Sequence, residues 1–271
     1  MSTATPTRPA PSPTTTRFNV TFPRLLRSET IKLFTVRSTI WSMSVAVVLV
    51  IGFAAIMAFA SKSEDVFGGT NVPVGVMAAI VGVYFAQLVY VVLGVIGIGS
   101  EYSTGMIRST LSAAPARVPA LLAKTVVLGV ASFVVSFISV LLAFALVQAI
   151  LSSTTLGARL GDPEVLRMLV GAALYLSFLT MFSLAVGAIV RNTAAGISII
   201  VGLLLILPTF LPLIPWNPLK ELVKYLPSVG DSAFAPPDMG VHSTWTGFAI
   251  LVAWTVGATV VAAILIKRRD A

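Results

Sequence analysis

Residues 74–99, VGVMAAIVGVYFAQLVYVVLGVIGIG, run for 26 positions without a lysine, arginine, aspartate or glutamate. As a helix this stretch covers about 39 Å, more than the ~30 Å hydrocarbon core of a bilayer. Five further uncharged runs occur at Ile40–Ala60, Thr125–Leu151, Met168–Val190, Ala194–Leu213 and Thr246–Ile266. The pattern predicts an all-α polytopic membrane protein with six transmembrane helices. Composition agrees: of 271 residues, 57% are hydrophobic and 10% charged, with a mean hydropathy of +0.98. Soluble domains carry about 25% charged residues, so this chain is neither a soluble enzyme nor a disordered protein. The first run starts too late, is too long and lacks the cleavage site of a signal peptide.

The charges outside the runs set the expected sidedness. On the side of the N-terminus lie thirteen Lys and Arg against three acids, a net of +10, and on the other side five against seven, a net of −2. The positive-inside rule then places both termini in the cytoplasm, as expected of a multi-pass protein of the cell membrane. Topology thus explains the overall charge of +8. No nucleic-acid partner is implied, because a basic surface with base-stacking aromatics is lacking. With no cysteine and one histidine, His242, the chain has no disulfide, no thiol nucleophile and no multi-histidine metal site.

Residues 1–21, rich in Pro, Thr and Ser, read as a disordered cytoplasmic tail. Residues 22–39 read as a basic amphipathic helix on the membrane surface. Phe22, Leu25, Leu26, Leu33 and Val36 share one face, and Arg24, Arg27, Ser28 and Lys32 lie mostly on the other. Glu29 falls on the apolar face. It is either fully wetted and paired with Lys32 one turn on or in contact with another cytoplasmic segment. The six-helix domain spans 40–266, and 267–271 form a basic tail. The loop at 100–124 allows a short helix around Met106, Ile107, Thr110 and Leu111, ended by Pro115, with Arg108, Arg117 and Lys124 making it positive. Lys124 reads there as a topology charge. Glu101 is less easily explained, since an acid at a helix C-terminus opposes the dipole.

The short turn Arg191-Asn192-Thr193 offers Asn192 to end one helix and Thr193 to start the next. Asp162-Pro163 caps the fourth span. Beyond Pro208, Pro212 and Pro215, Asn217 and Pro218 start a short outer helix, on which Leu219, Leu222, Val223 and Leu226 follow an i, i+3, i+4, i+7 pattern next to Trp216. Its apolar face should rest on the bundle or dip into the bilayer.

Within the spans, Ala78, Gly82 and Ala86 form a small-residue stripe suited to close helix packing. Gln87 needs a partner at mid-bilayer, and interhelical bonding is favoured over substrate contact. Ionisable acids are absent from mid-membrane, where proton-coupled carriers keep theirs. A G-x-x-x-x-G-K-[ST] loop is also absent, so the chain is read as no enzyme in itself. If ATP is used, another chain hydrolyses it.

Four stretches carry a resemblance. They are LLRSETIKLFTVRSTIW at 25–41, GSEYSTGMIRSTLSAAPARVPALLAKTVV at 99–127, GAIVRNTAAGISI at 187–199 and YLPS at 225–228. In order and spacing, over about residues 22–269, the chain resembles the six-span permease subunits of type-2 ATP-binding-cassette transporters, especially actinobacterial ones. The resemblance implies a second permease chain, as homodimer or heterodimer, and two cytosolic ATPase subunits that bind ATP and Mg. The amphipathic helix would be the connecting helix and the 100–124 loop the coupling helix between spans two and three. The outer helix, with Trp216, Leu219, Leu222, Val223 and Leu226, would close the exit. Such permeases usually export drugs, antibiotics, lipids or polysaccharides.

On this reading Arg24, Glu29, Lys32, Glu101, Arg108 and Arg117 form the ATPase-coupling surface. Spans two and five line the path, with Tyr84, Gln87 and Tyr90 as candidates. No metal or cofactor is expected on this chain, whose other contact is membrane lipid. The alternatives are a non-transporting membrane scaffold that recruits a cytosolic partner and a secondary carrier. The absent membrane acids and the lack of an internal repeat disfavour the carrier.

Overall fold

The computed structural model describes residues 21–63, 72–105, 117–236 and 242–268. The proposed tail at 1–21 except Thr21, the centre of the proposed coupling helix with Arg108, and residues 269–271 lie outside them. Among the described residues all regular structure is helical, and six helices are long and apolar enough to cross a membrane.

Helix α1 spans Phe22–Thr35, with Pro23 in its first turn and the Thr21 carbonyl accepting from Arg24 and Leu25 N–H. It is four residues shorter than expected. Val36 takes an extended conformation (ψ 109°) and donates to the Lys32 carbonyl. Helix α2, Arg37–Ser63, starts directly after it. The other spans are α3 (Val74–Ser103), α4 (Arg117–Ile150), α5 (Pro163–Val190), α6 (Thr193–Leu213) and α8 (Thr244–Arg268). The short helix expected on the outer side is the seven-residue α7, Asn217–Val223.

The spans overrun their apolar runs. Helix α4 begins at Arg117, eight residues before the expected Thr125, and so carries Lys124 on a helix rather than in a loop. Helix α3 likewise carries Glu101 inside its last turn. Helices α5 and α3 form the buried centre, with 72% and 61% of their most apolar stretch enclosed, whereas α6 is enclosed over only 17%.

The small-residue stripe is a packing device. Ala78, Gly82 and Ala86 are buried, and Gly82 lies against the α2 backbone, where an added Cβ would meet Val50 Cα at 2.6 Å. Helix α6 contains one wider turn at Gly202–Ile206, just before Pro208. Proline supplies no N–H, and a local π turn is one way to re-register the backbone around such a gap.

The turn joining α5 and α6 differs from expectation by one residue. Arg191, not Asn192, ends α5 in the left-handed region (φ 57°), donating to the Gly187 carbonyl. Asn192 is thereby placed to start α6, and its Oδ1 accepts from Ala195 N–H at 3.0 Å. Asp162 does precede α5, but its Oδ2 accepts from Arg159 N–H rather than from the helix. Helix α7 also starts one residue early, because the Trp216 carbonyl accepts from Leu219 and Lys220 N–H, which makes Asn217 its first residue.

Beyond α7, a tight helical segment at Pro227–Ala233 packs onto α8 and α5. Arg167 pins it: Nη1 donates to the Ala233 carbonyl and Nη2 to that of Ala235, each at 3.0 Å, while Nε pairs with Glu164 at 2.8 Å. Such charge-assisted bonds are worth about 1.5–3 kcal/mol each.

Two measurements check this architecture. Gly82→Ala is expected to lower the unfolding midpoint in detergent, at a cost of about 1–3 kcal/mol. Gly52→Ala on α2, whose added Cβ meets nothing within 4 Å, should leave the midpoint unchanged. Arg167→Met should speed amide exchange across residues 227–235 while leaving α2 and α3 protected. Unaltered exchange there would remove Arg167 as the anchor.

Candidate functional site: an ion-pair quartet at the α1 end of the bundle

Three of the six expected coupling residues, Glu29, Lys32 and Glu101, meet in one place, together with Lys124. Lys32 Nζ lies 2.8 Å from Glu29 Oε1 and 3.1 Å from Glu101 Oε1. Lys124 Nζ lies 2.7 Å from Glu29 Oε2 and 2.9 Å from Glu101 Oε1. Two carboxylates and two ammoniums alternate in a closed ring that joins α1, the last turn of α3 and the first turns of α4. Glu29 pairs with Lys32 within its own helix and reaches across to α4 as well, but it is buried rather than wetted, which corrects the reading of a solvated pair. Lys124 is more than a topology charge, because the early start of α4 brings it to both acids.

The two carboxylates of the quartet are withdrawn from water. Glu29 and Glu101 are 8% and 3% exposed. Burial works against the Glu29 charge, but Lys124 first and Lys32 second hold its carboxyl below the ordinary 4.5. Burial likewise works against the Lys32 charge, and Glu29 and Glu101 outweigh it, raising that ammonium above 10.5. A buried ion pair gains little over apolar packing, but removing one partner typically costs about 3–5 kcal/mol by stranding the other. The ring is therefore an all-or-none fastening. One atom is left over: the second oxygen of Glu101, Oε2, is buried without a donor.

The other predicted residues fall elsewhere. Arg24 is exposed on α1, beside the exposed Arg27. Arg117 lies apart from the quartet, its Nη1 donating to the Ile266 carbonyl at the end of α8, 3.2 Å away. A guanidinium is well placed at a helix C-terminus, where carbonyls lack partners. Helix α1 faces the bundle with Glu29 and Leu33, while Ile31 and Phe34, at 56% and 69% exposure, form an outer apolar face. The expected apolar set is thus split, with Phe22 and Val36 exposed.

Of the path candidates, only Tyr84 reaches the surface of the chain. Gln87 and Tyr90 are enclosed by its own helices. Gln87 Oε1 accepts from Tyr175 on α5 at 2.7 Å, the interhelical bonding expected. Tyr84 and Tyr175 both pack on Phe234 of the outer segment, at ring separations of 5.1 and 5.3 Å.

In the outer set, Leu226 is buried, Leu219 and Val223 are half-buried, and Trp216 and Leu222 are exposed. Helix α7 ends at Val223, so Leu226 does not continue its face and packs through the following segment instead. His242, given no role, hydrogen-bonds the Lys224 carbonyl at 2.9 Å.

Lys124→Met should free α1 from the bundle, with a loss of stability on the order of 3–5 kcal/mol and faster amide exchange over residues 22–35. pH should act with a definite sign. The Glu29 contribution is complete above 4.5 and is lost as pH falls through its lowered folded value. The Lys32 contribution is complete below 10.5 and is lost as pH rises through its raised value. Protection of α1 that stayed constant through the acid range, after correction for intrinsic exchange, would contradict this account.

The chain was also compared with known proteins: no family model matches it, and no curated protein does.

Proposed function

We propose that this chain is the membrane-spanning permease subunit of an ATP-binding-cassette exporter, driven by a separate cytosolic ATPase. The observation that carries the reading is the quartet. An amphipathic helix outside the spans is fastened by buried ion pairs to the ends of α3 and α4. A partner that pushes α1 thereby moves two spans as a body, which is how rigid-body switching passes between domains. The exposed Arg24 and Arg27 give such a partner a basic surface to grip. The sequence resemblance assigns the same helix to ATPase contact. On this reading ATP and Mg are bound by the partner, two permease chains pair in the cell membrane, and both termini are cytoplasmic.

Affinity purification in mild detergent, followed by mass spectrometry, tests the proposal. A cytosolic Walker-motif ATPase is expected at near-equal stoichiometry. The reversal Arg27→Glu should weaken its retention while leaving the thermal midpoint in place. Recovery of the membrane chain alone from a gentle preparation would favour a carrier instead. A different stoichiometric cytosolic protein would identify a scaffold.

A further inference from the structure

A cavity of about 110 Å³ opens beside the quartet. It is lined by the four charged residues of the quartet, by Ser38, Thr39 and Ser42 from the first turns of α2, and by apolar side chains that include Leu93 and Val127. The hydroxyls of Ser38, Thr39 and Ser42 make no hydrogen bond among the described residues. The volume exceeds what a single water needs.

The chemistry of the lining is two-sided. Each ammonium has three N–H donors, and Lys32 spends two of them within the quartet. Its third N–H, the three free hydroxyls and the positive end of the α2 dipole together suit an anionic oxygen group such as a phosphate. The Glu101 oxygen without a donor calls for the opposite, a cationic N–H donor. Glu101 lines the cavity, and the last torsion of a glutamate is broad, so a turn of the carboxylate would offer that oxygen to a donor seated there. The quartet is itself neutral, so it attracts neither a bare anion nor a bare cation. A group carrying both charges a few bonds apart, with an apolar body attached, satisfies every part of the lining.

We propose that this cavity seats the headgroup of a zwitterionic aminophospholipid. Its phosphate lies on Ser38, Thr39, Ser42 and Lys32, and its primary ammonium donates to Glu101. The site follows from membrane residence alone and is independent of transport. It supplies the donor that Glu101 lacks and makes the lipid a fourth member of the α1–α3–α4 junction.

The primary amine makes the proposal testable. Phosphatidylcholine has the same phosphate and glycerol but a quaternary nitrogen with no N–H, so it cannot donate to Glu101. The full chain, purified in detergent and equilibrated with equal amounts of phosphatidylethanolamine and phosphatidylcholine of matched acyl chains, is examined by native mass spectrometry. One phosphatidylethanolamine per chain is expected to be retained, at least tenfold over phosphatidylcholine. Glu101→Gln should erase that preference. Ser42→Phe fills the cavity without touching an ion pair, so it reports even if Glu101→Gln folds poorly, and it should abolish retention. Equal retention of the two lipids by the unaltered chain, or an unchanged preference in Ser42→Phe, would overturn the assignment and leave the cavity to water.

Discussion

Carboxylates taken out of water must be met by cations, and at the α1 end of this protein that requirement organises three helices. Glu29 and Glu101 are each too deeply buried to be solvated, and Lys32 and Lys124 bridge both. Because each lysine serves two acids, none of the four can leave without stranding a charge. Hydrophobic packing is non-directional and lets apolar helices slide. The ion pairs fix the azimuth of α1 and the register of α3 against α4. The position of Leu33, the one large apolar side chain α1 buries, follows from them.

Deeper in the bundle the same demand is met by other means. Ser136, Thr180 and Ser183 return their hydroxyls to the carbonyl one turn back, at 2.6, 2.8 and 2.7 Å. Gln87 finds Tyr175, and Ser177 crosses from α5 to the Gly129 carbonyl of α4 at 2.8 Å. These neutral bonds join α3, α4 and α5 where ion pairs would be too costly to bury. At the far end, Arg167 holds the outer segment by its backbone. Polar contacts thus tie the bundle at three depths, and apolar packing fills the space between.

The spans were legible because a bilayer imposes length and apolarity on every residue of a crossing helix. Helix ends were less so. Composition cannot tell a helix that stops at the membrane from one that continues into water, so the apolar run begins eight residues after α4 does and leaves Lys124 in the loop. That one boundary hid the quartet. The signal was nevertheless present: Glu29 on an apolar face and Glu101 at an unfavourable helix end were two acids without an explanation, in a region of excess positive charge. Two misplaced acids near two lysines are better read together than singly. Gln87 shows the converse. Its need for a partner was plain, but Tyr175 lies 88 residues away, and no local pattern could name it.

The break at Val36 has a mechanical meaning. Helices α1 and α2 are separated by a single extended residue, so α1 is a short bar hinged to one span and latched to two others. A bar hinged at one end can swing only about that joint, and the latch at Glu29 and Lys32 removes the swing. Any displacement of α1 must therefore either carry α2, α3 and α4 along or break the latch first. The junction behaves as a truss whose stiffness resides in four side chains, and exchanging one of them changes how force is shared between helices before it changes the fold.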